Sequence, residues 1–340
     1  MKRAGTDALK RVRLSWLVVG LVVLFFVSLG VGRYVVAPAD VIKILLSKSF
    51  SVTPTWTPAM ETVVLSVRLP RLLAALLIGS SLALAGACFQ GLFKNPLVSP
   101  DILGVSSGAG FGAAVAIVLG LSALGIQASA LVFGLLAVGM AYVVRTLYQS
   151  QNALILVLAG VIISGFFSSA LSFLKYVADP YETLPAIVFW LMGSIASVDY
   201  PDLFMVAAPI LVCSMILLLL RWRFNVLSLG DNQAQALGLD VVRIQRWIIL
   251  CATVVTACSV CISGTIGWVG LVVPHIARLL VGANHTRLLP ASCVCGAIAL
   301  IVLDDFARCL TDAEIPLGIL TGLIGAPFFA YLLFRQRVKA

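Results

Sequence analysis

Residues 14–29, LSWLVVGLVVLFFVSL, carry no charge and decide the class of the fold. Similar stretches recur as far as residues 317–334, and nearly all charges lie in the gaps between them. Lipid offers no hydrogen bonds to the backbone, so such segments must form helices that satisfy their own N–H and C=O groups. With a mean hydropathy of +1.11 and 11% charged residues, the 340-residue chain is predicted to be an all-α polytopic membrane protein.

The first apolar stretch follows a basic segment, as the core of a signal peptide would. Since no small-residue cleavage motif precedes Arg33, we interpret it as an uncleaved span. About ten transmembrane helices are predicted within a single transmembrane domain covering residues 1–340. They lie at residues 14–34, 71–92, 102–121, 127–148, 153–175, 201–221, 246–264, 267–283, 288–307 and 316–335.

Lys and Arg determine the orientation of these spans. With both termini cytoplasmic, sixteen of the 23 basic residues fall on the inner side and ten of the 14 acids on the outer side. The net charge of +9 is therefore an orientation signal and requires no nucleic acid as a partner.

The segments outside the spans are short, and the chain has no soluble domain. They comprise the N-terminal tail 1–13, the cytoplasmic loop 222–245 and the periplasmic segment 177–200. Three short helices are expected in connecting segments: an amphipathic one at 40–48, an apolar one at 184–193 that is too short to cross, and one at 234–239 that ends near a glycine.

The sequence argues against catalytic, cofactor and metal sites. It contains no Gly-Lys dipeptide and hence no phosphate-binding P-loop, and its two histidines form no H-E-x-x-H motif. Gly104-Val-Ser-Ser-Gly108 lies within an apolar span and not at a strand-to-helix turn. Cys258-x-x-Cys261 is compatible with a metal or redox pair, but small buried side chains in a helix explain it more simply.

Asp304 and Asp305 are the exception to uncharged spans, near the outer end of the ninth. One interpretation is a coupling-ion site in a secondary transporter. The other is a helix-end cluster in which an acid pairs with Arg308 or caps a neighbouring helix.

The inner turn between the second and third spans contains Pro96 and Pro100, which stop helix continuation. Asp101 is expected in the first turn of the third span. Asn95 and Leu97 are expected at the inner mouth of any central pathway, although a plain connecting turn is the alternative.

A series of motifs, in order, resembles the permease subunits of type II ABC importers for iron-siderophores, heme and cobalamin. The resemblance covers nearly the whole chain from about residue 60, and its specificity comes from the ordered combination. The motifs are Arg68-Leu-Pro-Arg71, the glycines of 79–91, Asn95-Pro-Leu, Leu103-Gly-Val-Ser-Ser-Gly-Ala109, Phe189-Trp-Leu-Met-Gly-Ser194, Ala236-Leu-Gly238, residues 264–278, residues 285–290, Glu314-Ile-Pro-Leu-Gly318 and Gly325-Ala-Pro327.

The resemblance implies a multi-pass subunit of a bacterial inner membrane that is not itself an enzyme. It implies a second permease subunit, identical or paralogous, around one central pathway. It also implies two cytoplasmic ATPase subunits, which use ATP and Mg²⁺, and a periplasmic binding protein that delivers a metal-chelate cargo. This chain would bind no cofactor.

The resemblance also assigns roles to individual residues. The segment 232–243 matches the coupling helix that docks on the ATPase; an ordinary surface helix is the alternative. The coupling residues are Ala234, Ala236, Leu237, Gly238 and Leu239. The inner gate comprises Asn95, Leu97 and Asn152, and the fifth and tenth spans line the pathway together with residues 183–195.

Three outer arginines, Arg68, Arg71 and Arg308, match family positions that receive acidic side chains of the binding protein. An arginine can form two parallel hydrogen bonds to one carboxylate. The alternative is local pairing with Glu61, Asp304 or Asp305.

The predicted function is therefore an ATP-driven importer permease for an iron chelate (siderophore or heme) or cobalamin. An ion-coupled secondary transporter that uses Asp304 and Asp305 is the alternative, and a membrane scaffold or receptor without transport is a third class. The motifs do not choose among the cargoes.

Overall fold

The computed structural model describes residues 13–51, 53–148 and 153–337, and this part of the chain is built from helices. The predicted gate residue Asn152 and most of the N-terminal tail lie outside the described residues. The helices are α1 (Leu14–Gly30), α2 (Pro38–Ser47), α3 (Pro58–Thr62), α4 (Leu69–Leu92), α5 (Val105–Val118), α6 (Ala123–Leu147), α7 (Ala153–Val177), α8 (Thr183–Met192), α9 (Tyr200–Leu219), α10 (Arg221–Leu227), α11 (Asp231–Ala236), α12 (Val241–Ser263), α13 (Val269–Val281), α14 (His285–Cys309) and α15 (Leu317–Arg337).

Each of the ten predicted spans coincides with one of these apolar helices. Within the described part of the chain, six helical stretches are long and apolar enough to cross a membrane: Pro58–Leu92, Ala123–Leu147, Ile155–Val177, Tyr200–Leu219, Val241–Ser263 and His285–Cys309. The other four predicted spans correspond to α1, α5, α13 and α15, whose apolar helical stretches are shorter, at 10–17 residues. A multi-pass membrane protein is therefore confirmed, whereas the number of crossings and the side of the termini stay predictions. We call the two ends of the bundle outer and inner after the predicted orientation.

Helix α4 forms the centre of the bundle, because α12, α13 and α14 all pack along it. Glycines allow the close approach. A Cβ atom on Gly79 would collide with the carbonyl of Gly296 in α14, and one on Gly86 would collide with the carbonyl of Gly270 in α13. The backbones of these helices are thus in direct contact at two heights.

The outer end of α4 continues into a π-helical turn, Val63–Arg68, and then into α3. Pro70 explains the π turn, because it has no N–H to donate to the carbonyl four residues earlier. The helix therefore starts at Pro58 and not near residue 71 as the sequence predicts, and this extension carries Arg68 into the bundle.

The inner connection to α5 differs from the expectation in one respect. Residues Pro100–Leu103 form a separate 3₁₀ turn, and Gly104, with a φ of 90°, breaks it from α5. Asp101 lies in that turn and not in the first turn of the apolar helix. Its carboxylate instead accepts a hydrogen bond from the hydroxyl of Ser106.

Short helices are present in all three connecting segments as α2, α8 and α11. The third differs from the prediction: it covers Asp231–Ala236 and not 234–239, and the predicted coupling segment 232–243 is not one helix, because α12 begins at Val241. Helix α8 has ten residues and stops at Gly193, whose φ of 72° ends the helical path. Helix α11 ends just before Gly238, whose φ is 81°. Both short helices end where the chain needs a conformation that glycine adopts readily.

Candidate functional site

The outer end of the bundle contains a buried cluster of charges, which we call the outer arginine cluster: Arg68, Arg71, Arg308, Asp304, Asp305 and Glu314. Arg71 is its centre. Its Nε donates to both carboxylate oxygens of Asp304, at 2.8 and 3.0 Å, and its Nη1 to both oxygens of Glu314, at 2.8 and 2.9 Å. Asp304 is 0% exposed, whereas the side chain of Glu314 is 41% exposed.

The other two arginines bind the outer end of α1. Arg68 donates to the carbonyls of Leu29, at 2.8 Å, and Tyr34, at 2.5 Å. Arg308 donates to the carbonyl of Ser28 at 2.7 Å and to the carboxylate of Asp305, and its Nε lies 3.8 Å from Asp304. These bonds join α1, α4 and α14.

All three arginines are therefore buried and occupied by partners within the chain. The local-pairing alternative is what the structure contains for Arg71 and Arg308. Glu61, the third partner considered, instead pairs with Lys48 at 3.0 Å. The docking role of the arginines stays a prediction, and Glu314 is the partly exposed acid through which a partner would have to reach Arg71.

The inner turn after α4 is held by backbone and amide contacts. Lys94 has a φ of 53°, and the Asn95 side chain accepts from the N–H of Leu97 at 2.9 Å. Gln90 supports the turn from inside, donating to the carbonyls of Val98 and Leu271. Both Asn95 and Leu97 are exposed, so their side chains are available to another surface, and their gating role stays a prediction.

The predicted coupling residues, which lie in α11 and directly after it, fall into two groups that differ in exposure. Ala234 is fully buried and anchors the helix to the bundle, and Leu239 is half-buried. Ala236, Leu237 and Gly238 are exposed, and Leu237 presents 65% of its surface. A partner that docks here would contact the exposed group, and the side chain of Ala234 would be out of reach.

An ion pair joins the inner turn to α11. The ammonium of Lys94 lies 3.1 Å from a carboxylate oxygen of Asp231, the first residue of that helix. Both side chains are about half exposed. The start of α11 is thus in contact with Lys94, which precedes the predicted gate residue Asn95, and sequence spacing did not indicate this contact.

Irregular backbone interrupts the bundle at residues 264–268, between α12 and α13, and we call this the α12–α13 junction. The N–H of Ser194, after α8, donates to the carbonyl of Ser263, and the N–H of Leu317, at the start of α15, donates to Gly193. Trp268 adopts a φ of 67°, unusual for a bulky residue. Non-helical backbone at membrane depth is tolerated where it is enclosed by protein or lines a cavity.

Two cavities flank this junction. One cavity, with a volume of about 300 Å³, lies on the inner side of the junction and is lined by Asp101, Ser106, Thr265 and Trp268 among others. The second, of about 420 Å³, is lined by Gln127, Ser194 and Ser263 with apolar neighbours. Burial raises the pKa of the Asp101 carboxyl, and the bond from Ser106 opposes that rise. Among the residues that the structure describes, neither lining contains a basic side chain.

The sequence prediction missed Thr265 and Trp268 as cavity residues, although it matched the surrounding motif. The run Gly264-Thr-Ile-Gly267 was the available signal, because two glycines three residues apart weaken any helix. Helices α8 and α15, which the resemblance assigned to the pathway, do meet at this junction.

This arrangement defines a class: a multi-pass membrane protein with internal cavities and an exposed inner helix. The chain belongs to the FecCD transport family, whose model matches residues 20–335. Its relatives are transport permease subunits, and membership implies ATPase, substrate-binding and second permease partners. No catalytic activity is indicated for such subunits.

Known proteins resemble the chain over nearly its whole length. It is 44% identical to the molybdate import system permease protein MolB of Haemophilus influenzae, over 93% of this chain and 94% of that one. It is 41% identical to the cobalamin import system permease protein BtuC of Halobacterium salinarum, over 82% and 75%. A solved structure described as a metal-chelate type ABC transporter in an inward-facing conformation superposes with a TM-score of 0.85 at 43% identity, covering 95% and 98%.

Proposed function

We propose that the chain is the membrane-spanning subunit of an ATP-driven importer in a bacterial inner membrane. Two such subunits would enclose one pathway, ATPase subunits would bind beneath α11, and a periplasmic protein would deliver the cargo. The observation that carries this proposal is the family match over residues 20–335, together with an exposed Leu237 on the matching coupling helix. Because the sequence contains no P-loop, a separate subunit would have to hydrolyse the ATP.

The proposed cargo is an iron chelate, either a siderophore complex or heme, or cobalamin. Molybdate joins these candidates, because the molybdate permease of H. influenzae is 44% identical. The cavities at the α12–α13 junction support a pathway that conducts without holding an anion firmly, since none of their described lining residues is basic. That property fits passage of a bulky chelate as well as of a small oxyanion.

The alternative of ion-coupled transport has little support. A coupling-ion site needs acids that are free to bind and release the ion. Asp304 is instead bound by Arg71 and lies near Arg308, and Asp305 accepts from Ser28 and Arg308.

Uptake by proteoliposomes tests the proposal. The chain would be reconstituted with its ATPase and binding protein, and the accumulation of ferric siderophore, hemin, cobalamin and molybdate would be measured. We expect uptake of one cargo class with internal ATP and none with an imposed proton or sodium gradient. Uptake driven by the ion gradient alone would contradict the proposal, as would no uptake of any cargo with all partners present.

Reversing the charge of Arg71 would not test docking of the binding protein, because the reversal would also break the buried outer arginine cluster. Glu314→Gln weakens the internal partner of Arg71 while Asp304 remains bound to it. If an acid of the binding protein competes for Arg71, this variant should bind the binding protein more tightly than the wild type. Glu182→Gln, a second exposed outer acid, is the control. Unchanged affinity in both variants would remove Arg71 from the docking surface.

A further inference from the structure

A cavity of about 440 Å³ opens at the inner end of the bundle, away from the turn and helix proposed for gating and coupling. Four helix ends meet there: the starts of α1, α10 and α14 and the end of α13. We call it the inner arginine cavity. Its lining consists of Arg13, Leu14, Arg221, Val281, Thr286, Arg287 and Pro290.

Three arginines from three different helices line this one cavity. Arg13, Arg221 and Arg287 are all exposed, and within residues 13–51, 53–148 and 153–337 none of them forms an ion pair. The outer arginines, by contrast, are each matched by an acid or a carbonyl. Three guanidinium groups around one recess make its potential positive and favour an anion between them. The cavity is therefore a site whose charge is not balanced by the described part of the chain.

Two helix N-termini strengthen the positive potential. Helices α1 and α14 run side by side in the same direction, since Arg13 and Arg287 share the inner cavity while Ser28 and Asp305 are bonded at the outer end. Neither helix has an acid in its first turn, and α1 has no side-chain cap. The partial positive charge of each N-terminus favours a phosphate oxygen. The first N–H groups of α14 are bound to Asn225 and Asn284 and contribute no free donors.

The position of the cavity indicates where that phosphate comes from. Trp16 and Trp222, which are 69% and 62% exposed, lie on α1 and α10 close along the chain to Arg13 and Arg221. Exposed tryptophans concentrate at the level of lipid headgroups. Leu14, Val281 and Pro290 make part of the wall apolar, and the exposed valines of α1 continue that surface toward the membrane centre.

We infer that the inner arginine cavity binds the phosphate headgroup of an anionic phospholipid of the inner leaflet. The three guanidinium groups bind the phosphate oxygens with paired hydrogen bonds, and the apolar wall and α1 contact the acyl chains. This inference does not depend on the identity of the cargo or on coupling to ATP.

Native mass spectrometry of the purified full chain tests the inference. The protein would be titrated with phosphatidylglycerol or with phosphatidylcholine in detergent, and the bound lipid would be counted. We expect retention of phosphatidylglycerol in preference to phosphatidylcholine. Each arginine removed should weaken binding about fivefold, and the triple variant Arg13→Gln, Arg221→Gln, Arg287→Gln on the order of a hundredfold.

The matched control is a triple variant with the same loss of charge at inner arginines outside the cavity: Arg223→Gln, Arg243→Gln, Arg246→Gln. It should retain phosphatidylglycerol as the wild type does. Lysine substitutions at the three cavity positions keep the charge and show whether the glutamine variant fails for reasons of folding. Equal lipid loss in both glutamine triples would overturn the inference. If inorganic phosphate at equal concentration displaced the lipid, the ligand of the cavity would be free phosphate and not a lipid headgroup.

Discussion

The two ends of this bundle use charged residues in opposite ways. At the outer end, Arg68, Arg71 and Arg308 are buried and bonded to carboxylates or carbonyls of the same chain. At the inner end, the arginines of the inner arginine cavity are exposed, and the one ion pair of the described inner segments, between Lys94 and Asp231, lies on the surface.

The difference shows that the number of charged residues at each end of the bundle does not reveal what those residues do. The inner charges establish orientation and are available to lipid and partners. The outer arginines oppose the orientation rule, and the structure gives a reason: they hold three helix ends together. The four predictions below test this contrast, from the largest expected effect to the smallest.

Asp304→Ala should destabilise the protein most. Removing this fully buried acid leaves Arg71 with only the partly exposed Glu314 as a carboxylate partner and weakens the surroundings of Arg308, and breaking a buried pair costs about 3–5 kcal/mol. Thermal unfolding in detergent and the yield of folded protein measure the effect. Glu314→Ala, the partly exposed partner of the same arginine, is the control and should lose much less. Equal losses would show that burial of the cluster does not matter.

Leu237→Ala should weaken ATPase binding without affecting the fold. Burying a leucine side chain contributes about 1.5–3 kcal/mol, so the affinity should fall by about ten- to a hundredfold. Leu229→Ala is matched to it, because Leu229 is similarly exposed in the same loop and lies before α11. Co-purification of the ATPase at graded concentrations gives the measurement. A loss shared by both variants would argue against α11 as the specific contact.

Gly86→Ala should destabilise the contact between α4 and α13, because the added methyl group meets the carbonyl of Gly270. Overpacking of this kind costs about 1–3 kcal/mol. Gly139→Ala, in α6 with open space around it, should be neutral or slightly stabilising. Unfolding midpoints of the two variants that do not differ would contradict the direct backbone contact.

Separating Lys94 from Asp231 should change stability by less than about 1 kcal/mol, because the pair is exposed and screened by salt. Its effect should instead be on the cargo transported per ATP hydrolysed. Lys94→Asp and Asp231→Lys alone should lower that ratio, and the two together should restore it. A double variant as poor as the single ones would show that the contact does not transmit motion.

The sequence predicted the helices well and their charged contacts poorly. Hydropathy locates the ten apolar helices because each apolar stretch must satisfy its backbone locally, whereas α3 and α10 were not predicted. The pairing of Arg71 with Asp304 joins residues far apart in the chain, and no local pattern specifies which distant acid an arginine meets. The π turn before Pro70 and the positive φ of Trp268 likewise depend on packing.

The candidate site was predicted in outline only. The glycine after α11 followed from local sequence, whereas the burial of Ala234 and the exposure of Leu237 depend on which face turns inward. The cavities at the α12–α13 junction depend on bonds from Ser194 and Leu317, which belong to other helices. Tertiary contacts of this kind are invisible to spacing alone.

The contact between α4 and its neighbours limits how the molecule can move. Gly79 meets Gly296, and Gly86 meets Gly270, through their backbones, while Arg71 fastens α4 to α14 above both points. Helices in direct contact at several positions along their length cannot slide past one another. Any opening of a passage must then come from tilting this block as one body, with the bending confined to non-helical connections such as residues 264–268.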